Sequence, residues 1–214
     1  MLFPLIETIA VENGKLQNLS YHQQRYREAL AEYYPNQAVV MRNLSDITPP
    51  PEFQQGLVRC RIDYNATQQQ VRFFRAQFDL DTDYVFGIFN ASETRLLGGT
   101  GLHKRGREHR LEIGYWIHAQ AVGKGYVTEA VKALTYNAFY YHGVKGLDIC
   151  CDPRNQSSYA VAERCGFVHK ETFSGRDQTP DGKPRDTMIW RLERPEVLAI
   201  PFPMHIYDAA QNLL

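Results

Sequence analysis

Apolar positions cluster in short runs from Asp83 onward. Tyr84 to Phe89, Leu96 to His103 and Leu111 to His118 are separated by turn residues, which predicts an antiparallel meander of strands joined by hairpins. Asn90, Ala91 and Ser92 supply the first turn, and Gly98, Gly99 and Gly101 predict a bulge or a close backbone approach in the second strand. The period then changes. Val127, Ala130, Val131, Leu134 and Ala138 recur at helical spacing, with Thr128, Glu129 and Lys132 on the other side, so an amphipathic helix runs to about Gly143.

Leu147 to Cys151 is a nearly unbroken apolar run, the pattern of a strand buried on both faces, so the helix is the crossover of a strand, helix, strand unit. Asn155 and Ser157 mark the start of a shorter helix through Val161 to Cys165, with Gly166 placed to stop it. Phe167 to Phe173 and Asp186 to Leu192 close the pattern as two strands around the hairpin signal Asp181-Gly182. The fold class expected is α/β, or α+β: a mixed sheet with an antiparallel meander, one crossover and helices on both faces. The first seventy-odd residues read differently. They hold a strand at Leu5 to Val11, an Asn13-Gly14 turn, a helix across Ser20 to Tyr33 and a break at Pro49-Pro50-Pro51.

Composition narrows the function classes. Hydrophobic residues at 43% and charged residues at 22% are those of an ordinary globular chain. Lys plus Arg and Asp plus Glu both total 24 in 214 residues, so no net field draws the chain to nucleic acid or an anionic membrane. No apolar run approaches the roughly 20 residues of a spanning helix, and Glu7 and Glu12 stand where a signal peptide would be basic. A cytoplasmic location is expected. Cys60, Cys150, Cys151 and Cys165 lack metal or disulfide-scaffold spacing and read as reduced thiols, and the seven histidines are scattered, so no metal is expected.

The stretch Leu111 to Ala130, LEIGYWIHAQAVGKGYVTEA, runs from a strand through Gly123-Lys124-Gly125 directly into a helix. Glycines admit a ligand close to the backbone, and free N–H groups at a helix start favour phosphate oxygens. The absence of a Walker lysine-serine pair and of a full G-x-G-x-x-G argues against nucleoside triphosphate and dinucleotide sites. A purely structural turn is the plain alternative.

EIGYWI at 112–117, GKGYVTEA at 123–130, NQSSYAVAERCGF at 155–167 and MIWRL at 188–192 recur in the order and spacing of the GNAT acetyltransferases. The chain from about 75 to 214 resembles that family, particularly the branch of ribosomal-protein N-terminal acetyltransferases. The resemblance implies acetyl-CoA as cosubstrate and transfer of its acetyl group to a primary amine, a protein N-terminus or small amine, by direct attack in a ternary complex. The acyl-CoA loop would be Val122, Gly123, Lys124, Gly125, Tyr126 and Val127. Val122 and Val127 depart from it, since the family has Gln or Arg at the first position and Gly or Ala at the last. A shifted register of Gln120, Gly123 and Gly125 also meets the pattern. Main-chain groups near Ile117 would pair with the pantetheine amides where the strands of Ile117 and Cys150 splay. Asn155 would lie by the pantetheine arm and Ser158 by the sulfur, with Tyr159 the substitute acid.

Chemistry and alternation give the remaining roles. Removing a proton from an ammonium needs a base, and Glu112 alternates with apolar Leu111 and Ile113, so its side chain should face a cleft. A paired surface glutamate is the alternative for Glu112, and helix capping is the alternative for Asn155 and Ser157. Tyr115, Trp116 and Phe167 read as core. A homodimer is left open by the sequence, and a catalytically silent CoA-binding module is the competing function.

Residues 1–74 form an atypical front segment. FPLIETI, YHQQRY and VRCRIDYN resemble the start of class IV pyridoxal-phosphate aminotransferases and lyases, with Arg25 in the place of a phosphate-binding arginine and no counterpart for the Schiff-base lysine.

Overall fold

The computed structural model describes residues 6–10, 14–18, 74, 77–78, 80–91, 95–179, 182–197, 202–208 and 213. The expected helix at 20–33, the triple proline, Arg25 and Cys60 lie outside these residues. The described strands are β1 (Ile6–Ala10), β2 (Gly14–Asn18), β3 (Asp83–Asn90), β4 (Leu96–His103), β5 (Arg110–Ile117), β6 (Gly146–Cys151), β7 (Val168–Gln178), β8 (Pro184–Glu193) and β9 (His205–Asp208), and the helices are α1 (Tyr126–Tyr140) and α2 (Gln156–Arg164). All nine strands join one sheet in the order β7-β8-β6-β5-β4-β3-β2-β1-β9.

Hairpin turns and the crossover through α1 set the central part of this topology. β2 to β5 pair antiparallel in sequence order, and α1 then carries the chain to β6, which lies parallel to β5. β1 and β2, from the front segment, pair directly into this sheet, β2 with Gly14 opposite Asn90. β9, which no local pattern announced, pairs with β1.

α1 forms because its apolar positions fall on one stripe. Val131, Ala133, Leu134, Ala138 and Phe139 are each 0% exposed and meet Leu102, Leu111, Ile113 and Leu147 of the sheet in one core. Burying that face supplies most of the helix's stability. Both described helices sit on the sheet face of Leu111, Ile113 and Tyr115, the latter bonded to α2 through Ser158. The opposite face carries Asp83, His103, Glu112, Asp148 and Cys150, by strand alternation and register. Among the described residues no helix is long and apolar enough to cross a membrane.

Candidate functional site

The β5–β6 ladder is short. Its pairs are Arg110 with Gly146, Leu111 with Leu147 and Glu112 with Asp148, after which β6 continues against β8 as far as Cys151. From Ile113 to Ile117, β5 therefore keeps its β4 partners and has no ladder on its β6 side. Two strands that part in this way leave an unpaired main-chain edge beside a gap reaching both faces of the sheet.

On the helix face the gap runs into a cleft of about 610 Å³, whose walls include Tyr115, Ile117, Val122, Gly123, Gly125, Tyr126, Val127, Asn155 and Ser158. The expected loop and its two partners on α2 are thus brought together around one space. Gly123 and Gly125 have φ of 77° and 86°, the left-handed region where a side chain is strained, and Gly125 is the residue on which α1 starts. The first bond of the helix runs from Glu129 N–H to the Gly125 carbonyl at 3.0 Å. The N–H groups of Tyr126, Val127 and Thr128 thus precede the intrahelical ladder and are available at the positive end of the helix dipole.

Some residues stand otherwise than the sequence suggested. Lys124 is exposed and does not line the cleft, whereas Lys132 and Arg164 do. Local pattern could not select them, because they come from different helices and meet only when α1 packs on α2. Gln120 lies in a short 3-10 turn and accepts from Arg95 Nη2 at 3.0 Å, so Gly125, not Gly123, sits at the helix start. Val122 is 38% exposed at the rim. Asn155 caps α2, its Oδ1 accepting from Ser158 N–H at 3.1 Å, while its side chain also borders the cleft. Tyr159 stacks on Trp190 at 6.1 Å and is no part of the cleft wall.

Tyr115, read from sequence as core, is a wall of the cleft. Its hydroxyl donates to the Ser158 carbonyl at 3.0 Å and accepts from Ser158 Oγ at 3.1 Å. Burial holds the Tyr115 phenol above its ordinary range, against a smaller opposite pull from the Ser158 bond, so it stays protonated at neutral pH. Trp116 also borders the cleft, while Phe167, at 3% exposed, is core.

Glu112 is not among the cleft residues. It sits on the opposite face at the last β5–β6 pair, where the gap opens, 23% exposed, with Arg105 Nε at 3.8 Å. The Cys150 thiol donates to its Oε2 at 3.3 Å. Cys150, Cys151 and Cys165 are free, and burial, then the Glu112 charge and hydrogen bond, push the Cys150 thiol up to about 12.

A family model described as Acetyltransferase (GNAT) domain matches residues 19–168. A Bacillus subtilis protein named probable N-acetyltransferase YjcK is 31% identical over 147 residues, 67% of this chain and 81% of its own length. An uncharacterized Haemophilus influenzae protein is 49% identical over 77 residues, 36% of this chain, and the match spans 41% of that protein's length. The structure of Mycobacterium smegmatis RimJ in complex with CoA-disulfide superposes with a TM-score of 0.64 at 17% identity, covering 91% of this chain and 89% of that one, a likeness of fold. The resemblance of residues 1–74 to pyridoxal-phosphate enzymes is not supported, since the GNAT match begins at residue 19, well inside that segment.

Proposed function

Because the chain belongs to the GNAT acetyltransferase family, we propose that it transfers an acetyl group from acetyl-CoA to a primary amine, a peptide N-terminus or small amine, by direct attack in a ternary complex. The observation that carries this reading is the parting of β5 from β6 after Glu112, which opens onto a cleft ending at a glycine-started helix N-terminus.

The residues present fit the cosubstrate. The amides of Tyr126, Val127 and Thr128 suit a diphosphate, and Lys132 and Arg164 add positive charge along the same wall. The unpaired edge of β5 up to Ile117 offers the N–H and C=O groups that would orient the amide-bearing pantetheine arm, with Asn155 across from it. When bound, acetyl-CoA supplies the acetyl group as an activated thioester. Ser158 and Tyr115 hold a hydroxyl pair at the cleft wall, able to return a proton to the departing sulfur. Glu112, on the other face of the opening, takes a proton from the amine.

Titration with acetyl-CoA should raise the melting temperature, and thiol release should follow with at least one of alanyl-alanyl-alanine, seryl-alanyl-alanine and spermidine. Binding without release for any amine would favour a silent CoA-binding module instead. Gly125→Val should weaken acetyl-CoA binding by at least about tenfold, because a β-branched residue at φ 86° costs about 1–2 kcal/mol and relieving that strain turns the helix-start amides away from the cleft. Calorimetric titration checks this, and unchanged affinity would remove the helix start from the phosphate role.

A further inference from the structure

Acetylating an ammonium strips two protons from nitrogen: one to free the lone pair that forms the C–N bond, and one after that bond has formed. The sulfur takes up one as the C–S bond breaks and the other is released to solvent. Glu112 alone is one acceptor for two departures.

The second acceptor lies beside it. His103 is the register partner of Glu112 across the β4–β5 ladder, so both side chains project from the same sheet face, away from the helices. Its imidazole does not stand upright but lies back along the strands. A methyl placed on Gly101 would come 2.9 Å from His103 Nε2, and one placed on Gly114 would come 3.1 Å from the same atom. Those two glycines leave the floor bare, and the ring occupies it. Gly114 is two residues beyond the last β5–β6 pair. The Nε2 edge therefore rests where the strands have already parted, at the mouth of the gap on the face opposite the cleft.

A carboxylate lies against the other nitrogen. His103 Nδ1 is 3.2 Å from Asp83 Oδ1 on the neighbouring strand without hydrogen-bond geometry, and the two side chains are 17% and 16% exposed. Asp83 therefore acts on the ring through its charge, and the Nε2 edge is the one turned to the gap. Among the described residues the other ionisable groups facing this ring are Arg105, whose Nη1 is 3.5 Å from the same Asp83 oxygen, and Glu112 with its Cys150 donor. Burial pushes the Asp83 carboxyl up, but the neighbouring His103 and Arg105 together hold it below the ordinary range, so it stays ionised at neutral pH.

We infer that His103, beside Asp83, is the base that takes the first proton from the acceptor ammonium at the mouth of the β5–β6 gap, leaving Glu112 for the proton lost after attack. The inference rests on the acetyltransferase reading. The ammonium N–H bond breaks, the proton passes to Nε2 and then to solvent, and the freed lone pair is the nucleophile.

The test is the pH dependence of kcat/KM for thiol release with the three amines named above, alongside calorimetric acetyl-CoA affinity. His103→Gln should lower kcat/KM by about 10²-fold and abolish the acid limb of the profile, with acetyl-CoA affinity unchanged. Asp83→Asn should lower kcat/KM less than His103→Gln does, with acetyl-CoA affinity again unchanged. An acid limb and rate retained in His103→Gln would overturn the inference while leaving the acetyltransferase reading intact. Absence of turnover in the unsubstituted protein with every amine would overturn both.

Discussion

Replacing Asp148 with alanine should destabilise the protein by about 3–5 kcal/mol, because the substitution removes the buried anion that three arginines share. Asp148 is 1% exposed on β6 and accepts from Arg107, from Arg191 Nε at 2.7 Å and from Arg191 Nη2 at 3.2 Å, with Arg110 Nη1 at 3.8 Å. Those arginines come from the β4–β5 connection, from β5 and from β8, so the one carboxylate ties together the strands that flank the gap. It also occupies the last β5–β6 pair, opposite Glu112. Its loss should therefore loosen the vertex at which the strands part, and acetyl-CoA affinity should fall along with stability. A drop in melting temperature of roughly 6–20 °C is expected for a chain of this size, with Asp148→Asn in between because it keeps the shape and loses the charge. Denaturant titration reads the free energy directly. A change within about 0.5 kcal/mol, the scale of an ordinary surface substitution, would show that the cluster contributes nothing to stability.

Glu112→Gln should lower kcat by about 10²–10⁴-fold, the range for removal of a positioned acid-base group, and leave acetyl-CoA affinity unchanged. The side chain keeps its size, so the register of β5 and the thiol donor of Cys150 are preserved while the charge is lost. That donor is reliable, since burial and the neighbouring carboxylate keep Cys150 protonated far above neutral pH. Because Glu112 lies outside the cleft wall and on the opposite sheet face, the substitution separates proton removal from cosubstrate binding. Thiol release against pH, paired with thermal shift in acetyl-CoA, makes the measurement. Turnover equal to that of the unsubstituted protein at every pH would take Glu112 out of the reaction.

Much of the central architecture was legible in local pattern. Short apolar runs between turn residues located β3, β4 and β5 to within a residue, the change to a period near 3.6 located α1, and Asn155 and Gly166 bracketed α2 by the chemistry of helix ends. The glycine loop proposed for the cofactor was readable for the same reason: a glycine with positive φ at a helix start is a requirement of the backbone itself, written at the position where it acts. Roles that depend on which strands become neighbours were not readable. Asp148 sits in a run that patterning assigns to a buried strand, and only the arrival of Arg107, Arg110 and Arg191 from separate segments makes a buried carboxylate tolerable there.

Tyr115 could not be told from core, because the residue that turns its hydroxyl into part of the cleft is Ser158, 43 positions away. Lys132 and Arg164 become one wall only through the packing of α1 on α2. His103 looked like one of seven scattered histidines until register set it beside Glu112, Asp83 lay against its far nitrogen and two bare glycines gave its ring a floor. The sequence by itself determined the central strands, α1, α2, their order and the glycine turn at the start of α1, because each is governed by residues within a few positions of one another. The parting of β5 from β6, the two-faced gap and the side chains that meet across it were decided by tertiary structure, since hydrogen bonds and charges act through space between groups far apart in the chain.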